Sequence, residues 1–174
     1  PDARGLKWTK LLMNIVGNAT SAILDEATRT IFIDAQLLDV EIRALREALA
    51  VMRSAGIKPV NFAKYPFKWL APLIRYAPKA LIRKALRAQS GARGDKMPSL
   101  QIDLSAGKKQ NEVSWLNGAV VRLGQAHGMR TPVNQMLTET VLTLVKQPAQ
   151  RTGWQHNHAR LLEAVEGYMK RGKG

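Results

Sequence analysis

The amino-acid sequence predicts a single all-α domain. Apolar residues recur at helical steps of three and four in several separate segments. Alternation of the kind that marks strands is almost absent, with Thr30-Ile-Phe-Ile33 the one tempting run and a short one. Glycines and prolines fall between the periodic segments, where they end helices. A length of 174 residues suits one domain with a substantial core, and no internal repeat is evident.

Taken in order, the first helix is expected from about Leu6 to Leu24. Trp8, Leu11, Leu12, Ile15, Val16 and Ile23 cover much of its circumference, so it reads as largely buried. Residues 25–34 read as a break or a short helical turn. Leu38, Ile42, Leu45, Leu49 and Met52 define an amphipathic helix that stops at Gly56. Pro59, Pro66, Pro72 and Pro78 then predict short helices separated by turns, because proline removes a donor and clashes in a helix interior. Residues 89–96, with Gly91 and Gly94, read as a mobile loop. A short helix follows Pro98 and ends at Gly107. Leu116, Val120 and Leu123 mark another, ending near Gly128. Thr131 offers an N-cap hydroxyl with Pro132 at the first helical position. Met136, Leu137, Val141, Leu144 and Val145 form the apolar face of that helix, and Leu161, Leu162, Val165 and Met169 that of the last.

There is no cysteine, which excludes disulfides, thiolate catalysis and cysteine-ligated metals. No apolar run reaches the ~18 residues of a membrane span, and the first residues carry no signal-peptide pattern. The chain opens without methionine, as a fragment or a processed chain would. Its formal net charge is +14, and nine cations (Lys64, Lys68, Arg75, Lys79, Arg83, Lys84, Arg87, Arg93, Lys96) share one stretch with a single acid, Asp95. Such a footprint admits a basic helical nucleic-acid-binding module as an alternative reading. The stretch lacks a helix-turn-helix pattern, and its aromatics are Tyr65, Phe67, Trp69 and Tyr76. A basic rim on a ligand cleft, or plain solubility, explains the charge better.

Lys10, Asn14 and Asn18 stand four residues apart, which stacks them along one face of a continuous helix. An ammonium and two amides beside a core need polar partners; a substrate with a carbonyl and a carboxylate would supply them. Lys10 could then serve as a proton donor. Read structurally, Lys10 snorkels at the helix edge and the asparagines bond backbone. Ser99, at a helix start, and Glu112, beyond the Gly107 turn, form a second pair: a hydroxyl and N–H groups for a carboxylate, and an acid for a substrate hydroxyl or a cofactor ribose. Their structural reading is a cap and a first-turn acid. His156 and His158 lack a third ligand at metal spacing, so no metal site is assigned. His127 reads as a helix C-terminal residue. Trp8, Trp69, Trp115 and Trp154 read as core or edge packing.

Lys10-Leu-Leu-Met-Asn14 with Asn18, Pro98-Ser-Leu-Gln-Ile-Asp103, Glu112-Val-Ser-Trp-Leu-Asn-Gly118, Val121-Arg-Leu-Gly124, His127-Gly128 and Thr131-Pro-Val-Asn134 together resemble the C-terminal domain of ketopantoate reductases, the 2-dehydropantoate 2-reductases of pantothenate synthesis. The resemblance runs over nearly the whole chain, residues 1–174 forming one helical domain of the 6-phosphogluconate-dehydrogenase C-terminal-like type. It implies a cytoplasmic enzyme in which an N-terminal Rossmann domain binds NADPH and a small 2-oxo acid sits between the two halves. It further implies that Lys10 is the general acid, that Asn14, Asn18 and Ser99 hold the substrate, and that Glu112 serves binding and turnover, with a ribose contact open to it. Relatives are monomers or dimers, so a homodimer is compatible.

Three departures accompany the resemblance. Lys96 stands where the family has an asparagine, the turn between Gly107 and Glu112 is one residue longer, and the basic proline-punctuated stretch 58–96 is an insertion relative to compact members. They leave room for a different 2-oxo acid, or for another hydroxy-acid or opine-type dehydrogenase reaction. None of the 13 glycines forms a Gly-x-Gly-x-x-Gly phosphate-binding turn. The chain by itself is therefore expected to be catalytically inactive.

Overall fold

A computed structural model describes residues 2–62, 66–90, 97–108 and 112–171. Among them are ten α-helices and no strand: α1 Ala3–Ile15, α2 Asn18–Leu24, α3 Thr28–Ile33, α4 Ala35–Ser54, α5 Phe67–Tyr76, α6 Lys79–Ser90, α7 Ser99–Ser105, α8 Asn117–Ala126, α9 Pro132–Lys146 and α10 His158–Lys170. Two 3₁₀ turns, Glu112–Ser114 and Pro148–Gly153, join them. The expected all-α class is the one observed, and the run at Thr30 is helical.

At 20 residues, or about 30 Å, α4 is the axis of the domain. Asp34 starts it by accepting from the Gln36 and Leu37 amides at 2.7 and 3.0 Å, and Gly56, at φ +68°, follows its end. Leu37, Leu38, Ile42, Leu45 and Met52 are buried along one broad face. The other helices gather round: α1, α3, α5, α6, α8, α9 and α10 all pack against α4. Their apolar faces merge into one continuous core running from Leu11 to Val165, as in a domain able to fold by itself.

The first expected helix is two helices. The chain breaks at Val16 and Gly17, where Gly17 takes φ +74°. Any side chain there would be strained, and a Cβ would lie 2.8 Å from Thr28 Cγ2. The break is held from α4: the fully buried Glu41 accepts the Gly17 N–H at 2.7 Å and the Thr20 hydroxyl at 2.5 Å. A carboxylate thus meets the amide of the residue that precedes α2 and a hydroxyl in its first turn. The sequence pattern conceals this, because apolar residues continue at helical spacing on both sides of Gly17.

Other differences have similar causes. Pro72 lies inside α5 instead of ending it; Phe67, Ala71 and Ile74 bury the inner face, and the carbonyl that loses its partner belongs to the exposed Lys68. Gln89 and Ser90, expected in a loop, belong to α6, and residues 91–96, Lys96 included, lie outside the described residues. Most of the turn between Gly107 and Glu112, residues 109–111, also lies outside them. Thr131 precedes α9, but its hydroxyl makes no capping bond. Glu47 of α4 does that work, accepting from the Val133 and Asn134 amides at 2.9 and 3.0 Å and from the Asn134 side chain at 2.7 Å.

Two outcomes follow from these caps. Glu41→Ala should lose about 1–3 kcal/mol for each buried donor left without an acceptor, whereas Glu41→Gln, which keeps one acceptor, should lose less; urea denaturation measures both. Burial raises the Glu47 carboxyl above its ordinary value of 4.5, opposed by the Asn134 and Val133 donors. The folded state therefore holds this proton more tightly than the unfolded chain. Its contribution to stability is complete below the ordinary value and is lost as pH rises through the raised one. The wild-type stability measured against Glu47→Gln should accordingly decline as pH rises above the ordinary carboxyl value; a rising difference would contradict the assignment.

Candidate functional site

The α1–α2 break places Asn18 at the first position of α2, facing the start of α7. Its Oδ1 accepts the Leu100 N–H at 3.2 Å, and its Nδ2 reaches Ser99 Oγ at 3.5 Å. Ser99 in turn donates to Glu112 Oε2 at 3.2 Å. One line of hydrogen bonds therefore joins α2, α7 and the Glu112 turn. The Leu100 amide, one of the N–H groups expected to await a carboxylate, is already taken by Asn18.

This line forms part of the wall of an open cleft of about 450 Å³, completed by Met13, Asn14, Val16, Thr28, Met97, Pro98 and Leu116. Asn14 is exposed and Asn18 is buried. The three-residue stripe is thus not one uniform face: Asn14 and Asn18 sit on different helices and meet at the cleft from two sides. Lys10 is not part of the lining. It lies one turn before Asn14 on the exposed side of α1, about 6 Å along the axis, and its ammonium has no hydrogen-bonding partner among the described residues. The α1 helix is therefore buried on one side only, with Arg4, Lys7, Lys10 and Asn14 open.

The donor and acceptor supply suits a small polar ligand flanked by apolar wall. Asn18 retains one donor and one lone pair, and Asn14 retains its whole amide among the described residues. Glu112 keeps one carboxylate oxygen for a hydroxyl. Met13, Val16, Met97 and Leu116 supply the apolar side. Sequence reasoning found Asn14, Asn18, Ser99 and Glu112 together, but missed Glu41, which sets the geometry, and Thr28, which abuts Gly17. The Val-Gly-Asn step at 16–18 was the one available signal of the break.

Elsewhere some of the charged groups are committed. Lys79 and Arg83 pair with Asp39 at 3.1 and 3.0 Å. Arg87 donates to the Phe32 and Ile33 carbonyls at 2.9 and 2.7 Å. Three of the nine cations of the basic stretch are thus engaged within the fold. Asp25 accepts from Gln101 and Gln155, and the Gln101 bond chiefly holds its carboxyl below the ordinary range against the opposing effect of burial. His156 and His158 both contact Glu26, at 3.2 and 2.9 Å. Two tryptophans expected in packing roles are instead exposed: Trp69 at 78% and Trp115 at 75%. Trp115 lies under the Arg122 guanidinium, 5.6 Å from the ring centre.

The model of the ketopantoate reductase PanE/ApbA C terminus matches residues 2–145. The chain belongs to the ketopantoate reductase family, as its C-terminal domain. A curated relative, the 2-dehydropantoate 2-reductase of Pyrobaculum aerophilum, is 28% identical over 136 residues, which is 78% of this chain and 42% of the relative. The crystal structure of a PanE/ApbA family ketopantoate reductase from Ralstonia eutropha JMP134 superposes with a TM-score of 0.66 at 28% identity, covering 86% of this chain and 44% of that one. The chain thus spans less than half the length of either.

The hydrogen-bond line distinguishes its members by burial. Asn18→Ala leaves the buried Leu100 amide without an acceptor and should cost about 1–3 kcal/mol. Ser99→Ala removes a hydroxyl whose main partner is exposed, and should cost about 1 kcal/mol or less. Thermal unfolding of both variants checks the order.

Proposed function

We propose that this chain is the substrate half of an NADPH-dependent 2-dehydropantoate 2-reductase-like enzyme, reducing the ketone of a small 2-oxo acid when joined to an N-terminal Rossmann half. The observation that carries the reading is the Asn18–Ser99–Glu112 line at an open cleft, with the uncommitted Lys10 ammonium at its edge. The names of the two relatives make ketopantoate the first substrate to test.

In this reading Asn14, Asn18 and Ser99 hold the carboxylate and ketone, and Lys10 delivers its proton to the ketone oxygen. As negative charge develops there, the ammonium supplies both the proton and a stabilising positive charge. Glu112 orients Ser99 through their hydrogen bond and keeps an oxygen for a substrate or ribose hydroxyl. NADPH would supply the hydride. Glu112 fits a ribose hydroxyl, and the sequence has no Gly-x-Gly-x-x-Gly turn for the pyrophosphate, so most of the cofactor contacts fall to the other half. Exposed Lys10 is also hydrated, which weakens its electrostatic effect until a second surface excludes water.

The test compares two polypeptides. In a polypeptide joined to its Rossmann half, Lys10→Ala should lower kcat by about 10²–10⁴-fold, with a smaller change in KM. The 174-residue chain alone should show no ketopantoate-dependent NADPH oxidation; measurable turnover by it would overturn the division of labour.

A further inference from the structure

On α5, three side chains of the kind that helices bury stand in the open. Phe67, Ala71 and Ile74 recur at steps of four and three and face the core. Trp69, Leu73 and Tyr76 repeat those steps two residues later, about 200° round the helix, and are 78%, 38% and 70% exposed. The helix is thus apolar on its inner and its outer side, the pattern of a helix covered on both. Lys68, Pro72 and Arg75 form a third row at the same steps, and with Tyr76 they line an open groove of about 660 Å³. Across the groove stand Arg53, in the last turn of α4, and Lys58, after Gly56.

These four cations are available. Among the described residues none of them pairs with a carboxylate, and Arg75 lies over the Tyr76 ring, 5.1 Å from its centre. The one acid of the groove, Asp2, accepts the Gly5 amide at 2.8 Å. The walls are anchored: the Val60 N–H donates to Thr9 Oγ1 at 3.0 Å, and the Lys68 N–H to Asn61 Oδ1 at 3.1 Å. A second copy of this chain would set like charges against each other on this face, which disfavours pairing. Single-stranded nucleic acid would take the cations and stack on the rings, but it offers Leu73 and Pro72 no apolar phase. An anionic lipid bilayer meets all of them. Its headgroups suit the cations, its hydrocarbon suits Leu73, and the boundary between suits the amphipathic rings of Trp69 and Tyr76.

We propose that the outer side of α5, with the cationic groove beside it, is a docking surface for an anionic lipid bilayer. The helix lies along the headgroup plane with Trp69, Leu73 and Tyr76 inserted, and the cations of the groove meet the lipid phosphates. At 10 residues α5 is about 15 Å long, and among the described residues no helix is long and apolar enough to cross a membrane. The contact is therefore a peripheral one. It is independent of the functional reading above, since no residue of this groove lines the polar cleft.

The test is sedimentation of the 174-residue chain with vesicles of phosphatidylcholine alone and of phosphatidylcholine mixed equally with phosphatidylglycerol. The chain should bind the anionic vesicles and leave the neutral ones, and added salt should weaken the binding. Trp69→Ala should lower the partition coefficient about tenfold or more, and Lys68→Gln and Arg75→Gln about fivefold each, with circular dichroism confirming the fold. Trp115→Ala, which removes a similarly exposed tryptophan elsewhere, should change nothing. A polypeptide joined to its Rossmann half should bind as the domain does. No binding, equal binding to neutral and anionic vesicles, or a loss with Trp115→Ala and not with Trp69→Ala overturns the proposal. So does tighter, Trp69-dependent binding of a single-stranded oligonucleotide, which gives the face to nucleic acid. Loss of vesicle binding in the joined polypeptide overturns it too, because the Rossmann half then covers the face.

Discussion

The amides that open a helix need acceptors, and at the starts of α2, α7 and α9 that need is met from another helix. Glu41 of α4 satisfies the start of α2, Asn18 of α2 satisfies the start of α7, and Glu47 of α4 satisfies the start of α9. Each is a polar group held in or beside the core, where an unmade hydrogen bond is costly. The consequence is a chain of dependence. α4 fixes α2, α2 fixes α7, and Ser99 at the head of α7 reaches the Glu112 turn. The cleft has its shape because the core helix behind it sets where two short helices begin.

The same logic explains which residues carry the family likeness. Asn117 and Asn134 are fully buried and bond each other at 3.0 Å, and Asn134 also donates to the Ala44 carbonyl at 3.0 Å. Gly124 lets α8 approach the following loop so closely that a Cβ would lie 2.9 Å from the Met129 carbonyl oxygen. Asn117, Gly124 and Asn134 are not among the residues that line the cleft. They dock α8 and α9 on α4, which makes them the scaffold on which the cleft is held, and a sequence motif dominated by them identifies a fold more directly than a substrate.

This distinction sets how much could be read from sequence. The long amphipathic helices α4, α9 and α10 were legible because each buries one regular apolar stripe, and glycine marks the end of α4. The α1–α2 break was not, since Leu12, Ile15, Ala19 and Ile23 preserve the period across Gly17 and the carboxylate that stabilises the break stands 24 residues away. Trans-helix caps leave no local pattern at all: Asn18 and Leu100 are separated by 82 positions. Thr131 had the right chemistry in the right place, yet Glu47 reached the same amides with a charge and displaced it from the role. The members of the cleft were found through family resemblance; spacing alone placed Asn14 and Asn18 on one face that the fold divides between two helices.

The division has a physical advantage for a site of this kind. On one continuous helix, Lys10, Asn14 and Asn18 would share a single environment, either all wet or all buried. Breaking the helix at Gly17 buries Asn18, which stiffens its amide between Ser99 and Leu100, while Asn14 and Lys10 remain on the open face of α1. A rigidly held amide and an accessible ammonium thus come from neighbouring turns of chain. An exposed ammonium spares the folded domain the desolvation cost that burial would impose. In the proposed reaction that cost would fall only when a second surface and a substrate cover Lys10 together, where the developing oxyanion would offset it. On the function proposed above, stability of the domain rests on α4 and its caps, and reactivity of Lys10 on what closes over α1.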